Sequence, residues 1–213
     1  VSLVPGRAPA VLLAAPVLSA LLSGWGLHND LAFDSTALWQ HVSAGTRGRD
    51  DRLGRVVGAV LWQLPLIVLA GLVAAGACGR WEMLPAVLGT SLAVLGCAYA
   101  WSSVMSVLLP YETLAPGDSP MRSRTSGTAF LAAVIQMVAM LLLPGVCSPV
   151  LGVAIYGVAR GSLLWEWVAL VLGGVWCSLA LWGGIVIGGR LLDRRGPQVL
   201  ATIRTWPGHA QPV

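Results

Sequence analysis

Apolar residues come in long blocks along this chain. Five runs, near residues 8–26, 56–78, 83–109, 129–150 and 165–189, carry no ionised side chain in their central parts. At about 1.5 Å per residue each is long enough to cross roughly 30 Å of hydrocarbon. Polar residues are gathered in the segments between them. The pattern predicts an all-α fold, a polytopic membrane helix bundle of about five transmembrane helices forming one transmembrane domain over residues 1–213. The first run is preceded by Arg7 alone and followed by no soluble domain, so it reads as a span rather than a cleaved leader.

The stretch from 129 to 159 is harder to parse, being too long for one crossing and too short for two. Pro144 and Pro149 interrupt it, each removing a backbone donor and crowding the preceding turn. A second crossing would also carry the run LLDRRGP to the side that the other arginine-rich loops avoid. The expectation is a span followed by a short re-entrant or interfacial piece over about 145–160, where non-helical backbone is tolerated only against protein.

Charge orients the bundle. Loop 27–55 holds four arginines, loop 110–128 holds Arg122 and Arg124, and the tail from Arg190 holds four, whereas Arg7, Arg80 and Arg160 stand on the other side. Positive charge in short loops stays cytoplasmic, so these two loops and the C-terminus are expected inside a plasma membrane and the N-terminus outside. An outward N-terminus, together with Val rather than Met at position 1, predicts one more helix upstream, either as part of a six-helix unit or as half of a duplicated one.

Composition narrows the function. The chain is 56% hydrophobic and 10% charged, outside the range of a soluble globular domain. Its net charge of +4 is spread over separate stretches with no basic face interleaved with aromatics, which sets nucleic acid aside. Cys78, Cys97, Cys147 and Cys177 lie in or beside apolar runs without a CxxC pair, as small packing residues do. His28, Asp30, Asp34 and His41 match no common ligand spacing, so no metal site is expected. Glu166, between Trp165 and Trp167, reads as an anchored interfacial acid and has no catalytic partner, so enzyme chemistry is not expected.

Inside the spans, Gln63, Gln136 and the group Ser102, Ser103 and Ser106 suit hydrogen bonds between helices, and they are also candidates for lining a substrate path. Gly184 and Gly188 form a GxxxG, which suits close packing within the chain or a dimer seam.

Segment 27–55 carries the densest polar information. Asp34-Ser35-Thr36 offers a helix cap before a short amphipathic helix in which Leu38 and Val42 share a face beside Trp39. Gly45 ends it, and the run RGRDDRLGR follows with Arg47, Arg49, Arg52 and Arg55 around Asp50 and Asp51. At about +2.5 to +3.5 kcal/mol per charge at mid-bilayer, this run stays out of the hydrocarbon. The arginines serve as topology markers or as part of a surface that docks a cytosolic partner.

The series NDLAFDSTALWQHVSAGTRGRDDRLGRV (29–56), LLPYETLAPGDSP (108–120) and GGRLLDRRGPQVL (188–200) resembles the membrane permeases of actinobacterial ABC-2 type exporters over about residues 27–204. The resemblance implies a cytoplasmic coupling helix at 34–45 resting on a separate ATP-binding subunit, with ATP and Mg held there, and a second permease unit or a homodimer as partner. It implies re-entrant helices on the outer side before the last span. Leu38, Trp39 and Val42 are then the docking contacts, with Arg47, Arg49, Arg52 and Arg55 as elbow charges. The expected activity is export of a drug, lipid or peptide-like substrate. A Walker A loop needs a lysine to reach the terminal phosphates, and this chain has none, so any driving ATP is bound by another polypeptide. The alternative is a membrane anchoring or assembly protein whose charged loop binds a different partner.

Overall fold

The structure is a computed structural model that describes residues 8–114 and 127–206. Among them there is no strand, and four helices are long and apolar enough to cross a membrane. A short 3-10 turn, Ala10–Ala14, leads into α1 (Ala15–Trp25). Two short helices follow, α2 (Asp30–Phe33) and α3 (Leu38–Ser43). The long elements are α4 (Gly48–Cys78), α5 (Leu84–Leu108), α6 (Gly127–Val146) and α8 (Leu163–Arg204), with α7 (Ser148–Arg160) between the last two. The first apolar run thus forms a shorter helical stretch than the other four.

Neighbouring residues give the helix directions. Gly24 of α1 lies against Ala98 of α5, and along α5 and α8 the contacts advance together, Gly89 to Gly173, Gly96 to Cys177, Ala100 to Gly184 and Ser103 to Gly188. Helices α5 and α8 therefore run parallel. Helix α4 opposes α5, since Gln63 meets Tyr99 whereas Gly71 meets Leu88.

The α5–α8 seam is built from missing side chains. A Cβ at Gly173 would lie 2.1 Å from the Gly89 carbonyl oxygen, and one at Gly188 would lie 2.3 Å from that of Ser103. Lipid offers no hydrophobic difference to drive helices together, so close backbone approach and the dispersion contacts it permits supply the association. Gly184 and Gly188 are accordingly covered by α5 of the same chain.

Two helices outrun their apolar segments. Helix α4 begins at Gly48, so the charged run forms its first two turns rather than an elbow ahead of it. Asp50 and Asp51 sit in the first turn, where they oppose the positive end of the helix dipole, and Asp193 accepts the Gly48 N–H at 2.6 Å. Helix α8 runs through Pro197 to Arg204, fifteen residues past the expected end of its span at 189. The extension persists because Leu192, Val199, Leu200 and Ile203 are buried on it.

Candidate functional site

The end of the bundle that gathers residues 26–55, 109–114 and 190–206 carries most of its polar chemistry. Arg52 is 1% exposed and reaches three helices. Its Nη1 donates to Asp30 Oδ1 at 3.1 Å and to Ser106 Oγ at 2.7 Å, and its Nη2 donates to Asp51 Oδ2 at 2.5 Å. One helical turn later, Arg55 Nε donates to Asp51 Oδ2 at 3.0 Å and Nη2 pairs with Asp34. His41 Nδ1 lies 2.7 Å from Asp51 Oδ1. The guanidinium fork serves several carboxylate oxygens at once, which a lysine ammonium on its flexible stem would not do. A buried charge is tolerated only when paired and hydrogen-bonded, and here three aspartates surround two arginines.

The network explains the local folding of segment 27–47. Asp34, expected to cap α3, places its carboxylate on Arg55, and α3 starts at Leu38 with no side-chain cap. Leu38 is 1% exposed and packs with Leu31, Val107, Leu192, Val199 and Ile203, and Val42 lies over Gly196 of α8. Of the three residues expected to dock a partner, Leu38 is buried, Val42 is half-buried and Trp39 stands 44% exposed. Arg47 and Arg49 are exposed, whereas Arg52 and Arg55 are committed to the network. Asp30 and Asp34, which fit no metal pattern, are its missing half, and their i, i+4 spacing opposite a similarly spaced Asp51–Arg55 pair was a readable signal.

A second fastening ties the 109–114 segment to the same end. Asn29 Nδ2 donates to the Tyr111 carbonyl at 3.1 Å while Asn29 Oδ1 accepts the Tyr111 N–H at 3.2 Å. His28 stacks on Trp25 and contacts Tyr111. Its Nδ1 is 2.7 Å from the Trp25 carbonyl, an acceptor only, so that nitrogen carries the proton and Nε2 accepts from the Tyr111 hydroxyl at 2.7 Å. Burial pushes the imidazole below its ordinary value, against the opposing pull of the Trp25 carbonyl and the Asp30 charge. Burial likewise raises the Tyr111 phenol.

As pH falls through the ordinary imidazole range, the unfolded chain takes up a proton that folded His28 refuses, so stability should decline. The thermal midpoint of the purified protein should fall from about pH 7.5 to about pH 5.5, and fall less in His28→Gln. Equal falls in both proteins would assign the effect to another group.

The polar residues within the apolar helices do not converge on one path. Gln63 accepts from the Tyr99 hydroxyl, Ser102 donates to the Gly24 carbonyl at 2.8 Å, Ser106 accepts from Arg52, and Ser103 backs onto Gly188. Ser102, Ser106 and Ser103 thus face α1, α4 and α8 respectively. Gln136 of α6 accepts from Trp101 Nε1 at 2.6 Å, leaving its own amide nitrogen without a partner. Glu166 is buried where α7 meets α8, beside Gly157. Among the described residues no cluster of metal-binding side chains forms, and Arg7, Arg122 and Arg124 lie outside the described residues. No family model, curated protein or solved structure matches the chain.

Proposed function

We propose that the chain is the membrane permease of an ABC-2 type exporter, moving its substrate out of the cytoplasm with ATP hydrolysed by a separate subunit. The observation that carries this reading is the build of segment 30–47. A short helix between α1 and α4 is fastened to α5 and α8 through Leu38, and its segment is tied to α4 through the Arg52 network, yet it presents Trp39, Arg47 and Arg49 outward. An element that only marked topology would not call for such fastening, whereas one that transmits force does. In this reading five helices cross the plasma membrane, the arginine-rich end is cytoplasmic, α3 is the coupling helix, and α7 lies on the outer side. Mg-ATP binds the partner, whose closure pushes on Trp39, and Leu38 passes the displacement to α8. A second permease unit completes the substrate path.

The burial of Leu38 makes Trp39 the discriminating position. Trp39→Asp should abolish both transport and co-purification of the ATP-binding subunit, with membrane insertion and thermal midpoint unchanged. Leu38→Ala should instead lower the midpoint by an amount equivalent to about 2 to 5 kcal/mol. If Trp39→Asp retains the subunit and transports normally, the coupling assignment fails. Retention of a different cytosolic partner without stimulated hydrolysis would favour an anchoring role.

A further inference from the structure

Three arginines that the Arg52 network does not use gather where α4 and α8 touch. Gly189 of α8 lies against Arg49, where a Cβ would stand 2.6 Å from the Arg49 nitrogen and 2.8 Å from its Cγ. Gly188, one residue earlier, lies against Ser103 of α5. Arg190, a further step of about 100° round the helix, is therefore turned away from α5 on the Arg49 side. Arg194 follows one turn later on the same flank, and all three arginines are exposed.

The three guanidinium groups have no counter-charge of their own. Among the described residues none of them takes part in an ion pair. Asp193, between Arg190 and Arg194, places Oδ1 on the Gly48 N–H at 2.6 Å. Asp50 lines the cavity under α3 with Asp34, Gln40 and Asp51.

Depth identifies what they face. Between Glu166 and Arg190 helix α8 carries no charged residue, and these 24 steps span about 36 Å, a few Å more than a hydrocarbon core of roughly 30 Å. Arg190 thus stands at the level of the lipid headgroups, with Arg49 beside it. Above Arg49, at i+4 and i+8 on α4, Leu53 and Val57 are exposed; above Arg190, Ile187 and Leu179 are exposed on α8. Each basic group is the foot of an apolar stripe, which matches a molecule with an anionic head and hydrocarbon tails. A guanidinium donates a planar pair of N–H groups suited to phosphate oxygens.

We propose that Arg49, Arg190 and Arg194 form a headgroup site for an anionic phospholipid, whose acyl chains run up the exposed stripes of α4 and α8. The site is independent of the transport reading and of which way the bundle is inserted.

The chain is purified in a neutral detergent and offered dioleoyl phosphatidylglycerol and dioleoyl phosphatidylcholine in equal amounts, and bound lipid is counted by native mass spectrometry. At roughly fivefold per arginine, the wild type should prefer phosphatidylglycerol on the order of a hundredfold at low salt, and less as salt rises. Arg190→Gln should lower the preference about fivefold, and the triple variant Arg49→Gln, Arg190→Gln, Arg194→Gln should abolish it. Arg204→Gln removes the same charge about 21 Å farther along α8, beyond reach of the headgroups, and should leave the preference unchanged. An excess of glycerol 3-phosphate, which has the phosphate without the chains, should not displace the lipid. A wild-type preference below about threefold, or an equal loss in Arg204→Gln and Arg190→Gln, overturns the proposal and leaves the arginines to solvent or to an acidic protein surface. Displacement by glycerol 3-phosphate overturns it in favour of a soluble phosphate.

Discussion

Arg52→Leu should destabilise the folded chain by about 3 to 5 kcal/mol. The guanidinium neutralises Asp30 and Asp51 from a position 1% exposed and also holds the Ser106 hydroxyl of α5. Removing it leaves both buried carboxylates to Arg55 alone, which lies 3.6 Å from Asp30 and already pairs with Asp34 and Asp51. Arg52→Lys should recover only part of the loss, since an ammonium cannot span the same acceptors. Arg47→Ala, in the same charged run but exposed, should stay within about 0.5 kcal/mol of wild type. Thermal midpoints of the three purified variants decide the matter, and comparable shifts for Arg52→Leu and Arg47→Ala would show that the network contributes no more than surface charge.

The second large effect is expected at Gly173. A leucine there drives its first carbon to 2.1 Å from the Gly89 carbonyl oxygen and 2.6 Å from its carbonyl carbon. Both contacts are backbone in the second turn of α5, so relief requires α5 and α8 to splay apart at that end of their seam. Overpacking costs about 1 to 3 kcal/mol where side chains can yield, and a rigid backbone contact belongs at or beyond the top of that range. Gly174→Leu is the internal control, because a Cβ there meets nothing within 4 Å. Gly173→Leu should elute as aggregate or lose its folding transition while Gly174→Leu remains monodisperse; matching behaviour would place the α5–α8 contact elsewhere.

Hydrophobic run length made the four long helices legible, because lipid thickness sets how much apolar chain a crossing needs. It did not locate the start of α4 or the end of α8. Both lie where polar residues continue a helix, a choice that depends on tertiary partners: Asp193 for Gly48, and Leu31, Leu38 and Val107 for the buried face of 192–203. In segment 27–55 the residue types pointed to a charged, partly amphipathic arm. Which side of each residue faces inward was not readable, since Leu38 and Val42 form an apolar stripe that suits a partner's groove and this chain's own α8 equally. Charge counting treated all four arginines of the run alike. The structure separates them by reach, because only Arg52 and Arg55 project toward Asp30, Asp34 and Asp51. Gln136 was visible as a polar residue in an apolar run, but its unpaired nitrogen became visible only once Trp101 was placed.

The 42 residues of α8 form one uninterrupted helix of about 63 Å, roughly twice the thickness of a hydrocarbon core. One end is gripped by Leu38 of α3, and near the other Glu166 is buried beside Gly157 of α7. A stiff rod of that length is a lever: a tilt of about 5° about its middle swings each tip by roughly 3 Å in opposite directions. A sideways displacement at the Leu38 end therefore reaches α7 only to the extent that Pro197 and the glycine pairs 173–174, 183–184 and 188–189 hold the rod straight.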